Sequence, residues 1–205
     1  MKAPARKPHG VATHPLRVLR YSLWGVVALV LVAVAIYAFD MQRSGQGGIG
    51  GPFSLTDQHG ATVTEAALQG HPSAVFFGYT FCPDVCPTTL LAASNWLKAL
   101  GPDGDRLKVY FVTVDPERDT QAQMAAYLGA FDPRITGLTG SRAAIDAMLK
   151  AYRVYSKKVG DGPDYTMDHT AAVYLLDDKG RFTGTIDYQE KDDVALNKLK
   201  QLVAG

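Results

Sequence analysis

The sequence predicts an α/β sandwich: a mixed central sheet with helices on both faces, opened by a β-hairpin and preceded by one transmembrane helix. Three observations carry this expectation. Residues 52–205 alternate short apolar runs with segments of helical period, then end on a strand pair joined by a tight turn and a last helix, the pattern of helices packed on a sheet. Two of the runs, Ser73–Tyr79 and Leu107–Val114, are apolar almost throughout, as central strands covered on both faces are. Ahead of them, Tyr21–Phe39 runs 19 residues without a charge.

The first 20 residues hold Lys2, Arg6, Lys7, Arg17 and Arg20 and no acid, so the chain's net +1 leaves −4 for the remainder. A mildly acidic body lacks the basic clusters that neutralise phosphates, which argues against a nucleic-acid partner. At about 1.5 Å per residue the uncharged run reaches the ~30 Å of a hydrocarbon core. Tyr21, Trp24, Tyr37 and Phe39 sit towards its ends, where amphipathic rings favour the interface. Arg17 and Arg20 flank one side and place the N-terminus in the cytoplasm, with residues 40–205 outside. Ala33-Val34-Ala35 resembles a signal-peptide cleavage site, but the run exceeds the roughly 7–15 residues of a signal core. An uncleaved anchor is therefore expected.

The chain divides into a basic cytoplasmic leader (1–20), an anchor (21–39), a flexible glycine-rich linker (40–51) and a soluble domain (52–205). The leader is too short for a transit peptide plus spacer, which favours a bacterial inner membrane with a periplasmic domain over a mitochondrial one. Gly45-Gln46-Gly47-Gly48-Ile49-Gly50 fits G-x-G-x-x-G. That motif binds dinucleotides only between a strand and the helix it opens. Here a membrane span precedes it and Gly51-Pro52 follows.

Within the soluble domain, residues 52–64 alternate apolar and polar side chains around Asp57–Gly60, a hairpin signal. Ser73–Tyr79 is the first buried strand. A helix follows through residues 88–100 and stops at Gly101-Pro102. Leu107–Val114 is the second buried strand. Asp119 or Thr120 caps a helix running to about Phe131. Ile135–Leu138 is a weaker strand, and Ser141 caps the helix beyond it. Ala171–Leu176 and Arg181–Tyr188 form a hairpin across Asp177-Asp178-Lys179-Gly180. A helix over about Asp192–Val203 closes the chain.

The chain has two cysteines, both in Phe81-Cys82-Pro83-Asp84-Val85-Cys86-Pro87, where the first central strand runs into a helix. Backbone N–H groups at a helix start favour anions, so a thiolate is stabilised there. Pro87 suits a first-turn position, which needs no N–H. A bridge across so short a loop would constrain little chain entropy, so the thiols read as ligands or nucleophiles rather than staples. The C-x-x-x-C spacing permits either a disulfide or chelation, and two thiolates alone leave a metal short of donors. Of five histidines, His9 and His14 fall across the membrane, and His59 and His71 read as solvated loop residues. His169 lies directly before the strand Ala171–Leu176. By spacing alone it fits a structural role or a ligand.

The cysteine motif, then Val114-Asp115-Pro116-Glu117-Arg118-Asp119-Thr120, then Asp164-Tyr165-Thr166-Met167-Asp168-His169-Thr170 occur in this order. Together they resemble the Sco/SenC family, thioredoxin-like copper proteins that help assemble the CuA site of cytochrome c oxidase. The resemblance covers nearly all of residues 52–205 and the single-span anchor. It implies a thioredoxin-like fold and copper ligands at Cys82, Cys86 and His169. It also implies cytochrome c oxidase subunit II as the receiving partner, with a copper donor and a thiol reductant behind the chain. Soft thiolates suit Cu(I) and imidazole also suits Cu(II), so such a set can hold either ion. Asp168 is either an acceptor that orients the imidazole or an exposed turn acid. Met167 is expected to pack in the core, because neighbours in an extended segment point to opposite faces. The Val114–Thr120 segment is expected to act structurally, turning the chain at Pro116 into a helix.

The rival reading is a thiol–disulfide oxidoreductase with Cys82 as nucleophile and Cys86 as resolving thiol. Thioredoxin-like oxidoreductases usually carry a proline before the strand corresponding to Ala171–Leu176; here no proline lies between Thr166 and Leu176, and His169 stands there instead. The roles are compatible, since copper needs reduced thiols. A peroxidase pattern P-x-x-x-T-x-x-C fits neither cysteine. A structural zinc is not needed by a domain long enough to bury its own core.

Overall fold

The computed structural model describes residues 15–43 and 48–205. The leader up to residue 14, with His9 and His14, and linker residues 44–47 lie outside the described residues. The chain divides into two compact units, Met1–Gln46 and Gly47–Gly205. In the first, α1 spans Pro15–Arg43. Its stretch Leu19–Ile36 has mean hydropathy 2.1 and no residue buried within the chain, making α1 long and apolar enough to cross a membrane. The helix runs past the expected 21–39 at both ends.

In the second unit the strands are β1 (Ser54–Asp57), β2 (Thr62–Thr64), β3 (Ser73–Gly78), β4 (Lys108–Thr113), β5 (Ile135–Thr139), β6 (Ser156–Val159), β7 (Thr166–His169), β8 (Ala172–Leu176) and β9 (Phe182–Asp187). The helices are α2 (Val85–Ala99), α3 (Gln121–Leu128), α4 (Arg142–Ala151) and α5 (Asp192–Ala204). Seven strands form one mixed sheet in the order β2-β1-β5-β4-β3-β8-β9. β3, β4 and β5 run parallel; β8 lies antiparallel to β3, with Phe76 opposite Val173. All six residues of β3 are buried, which requires cover on both faces of the sheet. The expected α/β architecture is present, with the core built on Phe76, Phe77, Phe111 and Tyr152.

Local chemistry sets the boundaries. Thr120, not Asp119, caps α3, accepting from the Gln123 N–H at 3.2 Å. Ser141 does the same for α4 from Ala144. α3 stops at Leu128 rather than near Phe131, because the Ala130 and Phe131 N–H groups bond three residues back and tighten the last turn. α2 begins at Val85, three residues before the expected start, so Cys86 and Pro87 lie in its first turn. The Gly50 N–H donates to the Ala151 carbonyl at 3.0 Å, laying residue 50 against the end of α4. The hairpin β6–β7 was not expected. It forms a separate two-stranded sheet among the described residues, and its last residue is His169.

Candidate metal centre

The site is built at the C-terminal end of β3. That strand delivers Gly78, after which the chain turns through Thr80 and Cys82 into α2. Cys86 points back at the strand end: a Cβ placed on Gly78 would lie 2.7 Å from both Cys86 Sγ and Phe111 Cε2. Only glycine lets the sulfur sit there. Cys86 is fully buried and Cys82 half-buried. The Cys86 N–H donates to Cys82 Sγ at 3.4 Å, the helix-start contact that the sequence anticipates.

β7 brings the third group. His169 Nε2 lies 3.9 Å from Cys86 Sγ, and the two sulfurs and the imidazole nitrogen all fall within 4.8 Å of one another. The Tyr79 ring meets the imidazole edge-on at 5.8 Å, and Phe76 lies at 6.4 Å. His169 Nδ1 is 3.0 Å from the Thr170 carbonyl. A carbonyl can only accept, so Nδ1 carries a proton, and Nε2 is the ring nitrogen that faces the sulfurs. The orienting acceptor is thus a backbone oxygen. Asp168 is exposed and opposite Lys157 in the hairpin, so of its two readings the exposed acid holds. Met167 packs against the core as expected. His59 is exposed, and His71 contacts Ser73 Oγ instead of the site.

The two thiols share one proton. A hydrogen bond from Cys86 holds Cys82 far below the ordinary thiol range; burial opposes this, while His169 and the backbone N–H groups at the helix start assist. The same hydrogen bond and burial push Cys86 far up. Cys82 is therefore the resident thiolate, the form that binds metals and attacks electrophiles. Because its pKa is depressed, ionisation persists until pH falls well below neutrality. Alkylation of Cys82 by iodoacetamide is expected to hold its rate between pH 8 and 6, where an ordinary thiol of pKa ~8.5 slows roughly 100-fold. A parallel loss at Cys82, read by mass spectrometry of the labelled peptide, would refute the shared-proton arrangement.

The Val114–Thr120 segment does more than turn the chain. Asp119 is fully buried and receives Thr80 N–H at 3.0 Å, Thr80 Oγ1 at 2.6 Å and Thr113 Oγ1 at 2.6 Å. It ties the cysteine loop to β4. Sequence reasoning placed it at a cap and missed this, as it missed Gly78 and the aromatic wall. A thiolate pair with an imidazole suits a soft or borderline ion. Bonds of about 2.3 Å to sulfur and 2.0 Å to nitrogen, meeting at 110–120°, set donors about 3.5–3.7 Å apart. The 3.9 Å between Cys86 and His169 lies a few tenths beyond that.

The chain is similar to known proteins over most of its length. The family model described as SCO1/SenC matches residues 41–204. Protein SCO2, mitochondrial, of Saccharomyces cerevisiae is 33% identical over 91% of this chain and 69% of its own length. Protein SenC of Rhodobacter capsulatus is 37% identical over 80% of this chain and 76% of its own. Other mitochondrial relatives are spanned over little more than half their length, 53% and 54%. Among solved structures, ScoI of Bradyrhizobium japonicum, determined with copper bound, superposes with a TM-score of 0.71 and 50% identity, covering 75% of this chain and 99% of that one. A match running from the end of α1 to the last turn of α5, joined to the sheet order and the cysteine–histidine cluster described above, leads to one conclusion: this chain is a member of the SCO1/SenC family.

Proposed function

We propose that the chain is a membrane-anchored copper metallochaperone that holds its cargo through Cys82, Cys86 and His169 and delivers it to the CuA site of cytochrome c oxidase, on subunit II. The observation that carries this reading is the convergence of the three donor atoms within 4.8 Å, from parts of the chain more than eighty residues apart. The copper-bound relative supports the choice of ion. The Cys82 thiolate takes Cu(I) first, and Cys86 completes a two-sulfur site on losing its proton. The imidazole adds the donor that suits Cu(II). Three donors leave a coordination position open, through which an incoming thiolate can displace the chain's own ligands. In this reading α1 anchors the protein in a bacterial inner membrane, with the leader cytoplasmic and residues 52–205 periplasmic.

A second reading draws on the same sulfurs. A depressed Cys82 beside a protonated Cys86 is also the arrangement of a thiol–disulfide oxidoreductase, which would keep the target's cysteines reduced. The two are separated by titrating the reduced full-length chain in detergent with Cu(I) and Cu(II). One ion per chain, with a sulfur-to-copper absorption band and Cu(II) binding weakened in His169→Ala, is the result expected of the chaperone. Indifference to copper alongside rapid disulfide turnover would hand the site to the second reading.

A further inference from the structure

We infer that Arg118 is a positioning residue that clamps the His169 hairpin onto the thiol loop, and so decides whether copper meets three donors or two. This rests on the copper reading above and deepens it. The backbone leaves the question open: β6–β7 shares no ladder with the seven-stranded sheet. The distance from Nε2 to the sulfurs is therefore not set by strand pairing, as the β3–β4 distance is. Only the short run from His169 to Ala172 ties the hairpin to β8 and so to β3, and side chains must hold the rest of it in place.

Arg118 is where those side chains meet. Its guanidinium carbon lies 3.6 Å above the Tyr165 ring, 4.7 Å from the Phe81 ring and 5.7 Å from that of Tyr79. Tyr165 stands four residues before His169, and Phe81 directly precedes Cys82. One cation thus touches both arms of the site. Its edges are tied as well as its faces. Nη1 donates to the Tyr165 carbonyl at 2.9 Å, and Nε donates to Asp115 Oδ2 at 2.5 Å. The other oxygen of that carboxylate accepts from Tyr165 Oη at 2.7 Å. Asp115 is 1% exposed and the Arg118 side chain 16%, so the pair is shielded from solvent and salt. Nη2 is buried without a hydrogen-bond partner, a donor left among aromatic rings. A lysine cannot replace this group. Its ammonium is a point charge without the flat faces or the in-plane fork that the rings, the carbonyl and the carboxylate use together.

The chemistry of the cargo makes the clamp selective. Two thiolates suffice for Cu(I), whereas Cu(II) draws on the imidazole. Loosening the hairpin should therefore cost Cu(II) and spare Cu(I). The test measures both affinities by chelator competition for the full-length reduced parent, Arg118→Lys and Phe81→Leu. Electron paramagnetic resonance of the Cu(II) forms reads the nitrogen coupling. Arg118→Lys is expected to weaken Cu(II) about 10–100-fold, as loss of an outer support does, and to diminish the nitrogen coupling. Cu(I) affinity should stay within about threefold, because both sulfurs remain. Phe81, half exposed, can be changed without emptying the core, and Phe81→Leu is expected to give a smaller loss in the same direction even if Arg118→Lys folds poorly. Equal losses for both ions, or unchanged Cu(II) binding in both variants, would overturn the clamp. A parent that binds neither ion would instead sink the copper reading itself.

Discussion

Cys86→Ser is expected to abolish physiological copper binding while leaving the apo fold standing. Two effects add. The variant removes one of two soft donors, and it also removes the group that chiefly depresses the Cys82 pKa. Less Cys82 is then thiolate at neutral pH, so the surviving sulfur is also a poorer ligand. Loss of an outer-shell partner alone costs about 10–100-fold in metal affinity; loss of a ligand together with its neighbour's ionisation should exceed that for Cu(I) and Cu(II) alike. Stability should change little by comparison. Serine is smaller than cysteine, so it fits against Gly78 and Phe111. Chelator competition and a thermal melt check both halves. Tight Cu(I) binding in the serine variant would show that the buried sulfur is not a ligand.

Asp119→Asn is expected to destabilise the domain strongly. The carboxylate of Asp119 receives three donors, two from Thr80 and one from Thr113. Thr113 Oγ1 also accepts from the Asp115 N–H at 2.8 Å, so its own proton is committed to Asp119. An asparagine offers one oxygen and turns an N–H₂ towards a donor. At least one buried donor is left unpaired at a site with no solvent, a loss of about 3 kcal/mol. For a domain of this size that lowers Tm by about 6–12 °C. The pH dependence has a definite sign. Burial raises the Asp119 pKa, against the threonine hydrogen bonds that lower it. A carboxyl group with a raised folded-state pKa contributes most below its unfolded pKa and loses that contribution as pH rises through the folded value. The parent's advantage over Asp119→Asn should therefore narrow as pH rises through that value. Calorimetry of both proteins across the acid range would decide; a melting temperature unmoved by the substitution would mean the loop does not depend on this carboxylate.

The parts of this fold that the sequence predicts well are those in which burial and local chemistry agree. Ser73–Gly78 is apolar on both faces and is buried on both. Thr120 and Ser141 are capping residues in front of helical periods, and both cap. The β6–β7 hairpin escaped because Ser156–Val159 and Thr166–His169 are four residues each and mostly polar; β6 is largely exposed, and the alternation of burial along β7 is too short to stand out in the sequence. Its turn signal, Gly160-Asp161-Gly162-Pro163, was present and could have revealed it. The cysteine–histidine cluster was legible through the order of three motifs, not through spacing. Arg118 was not legible at all. The Phe81 and Tyr165 rings it meets lie 37 residues before it and 47 after it, and no local pattern records a ring stacked on a cation at such separations. Asp119 looked like a cap because an acid before a helix usually is one. Here the neighbouring threonine takes that duty and frees the carboxylate to turn inward.

At the strand end beneath the sulfurs, what matters is an atom that is missing. Cys86 occupies the volume that a methyl group on residue 78 would fill, so this floor is defined by subtraction. Divergence among such proteins can remodel the rim, lengthen the hairpin or recharge the surface. Position 78 has no such latitude: any larger residue there would evict the buried sulfur, however well the rest of the pocket adapted.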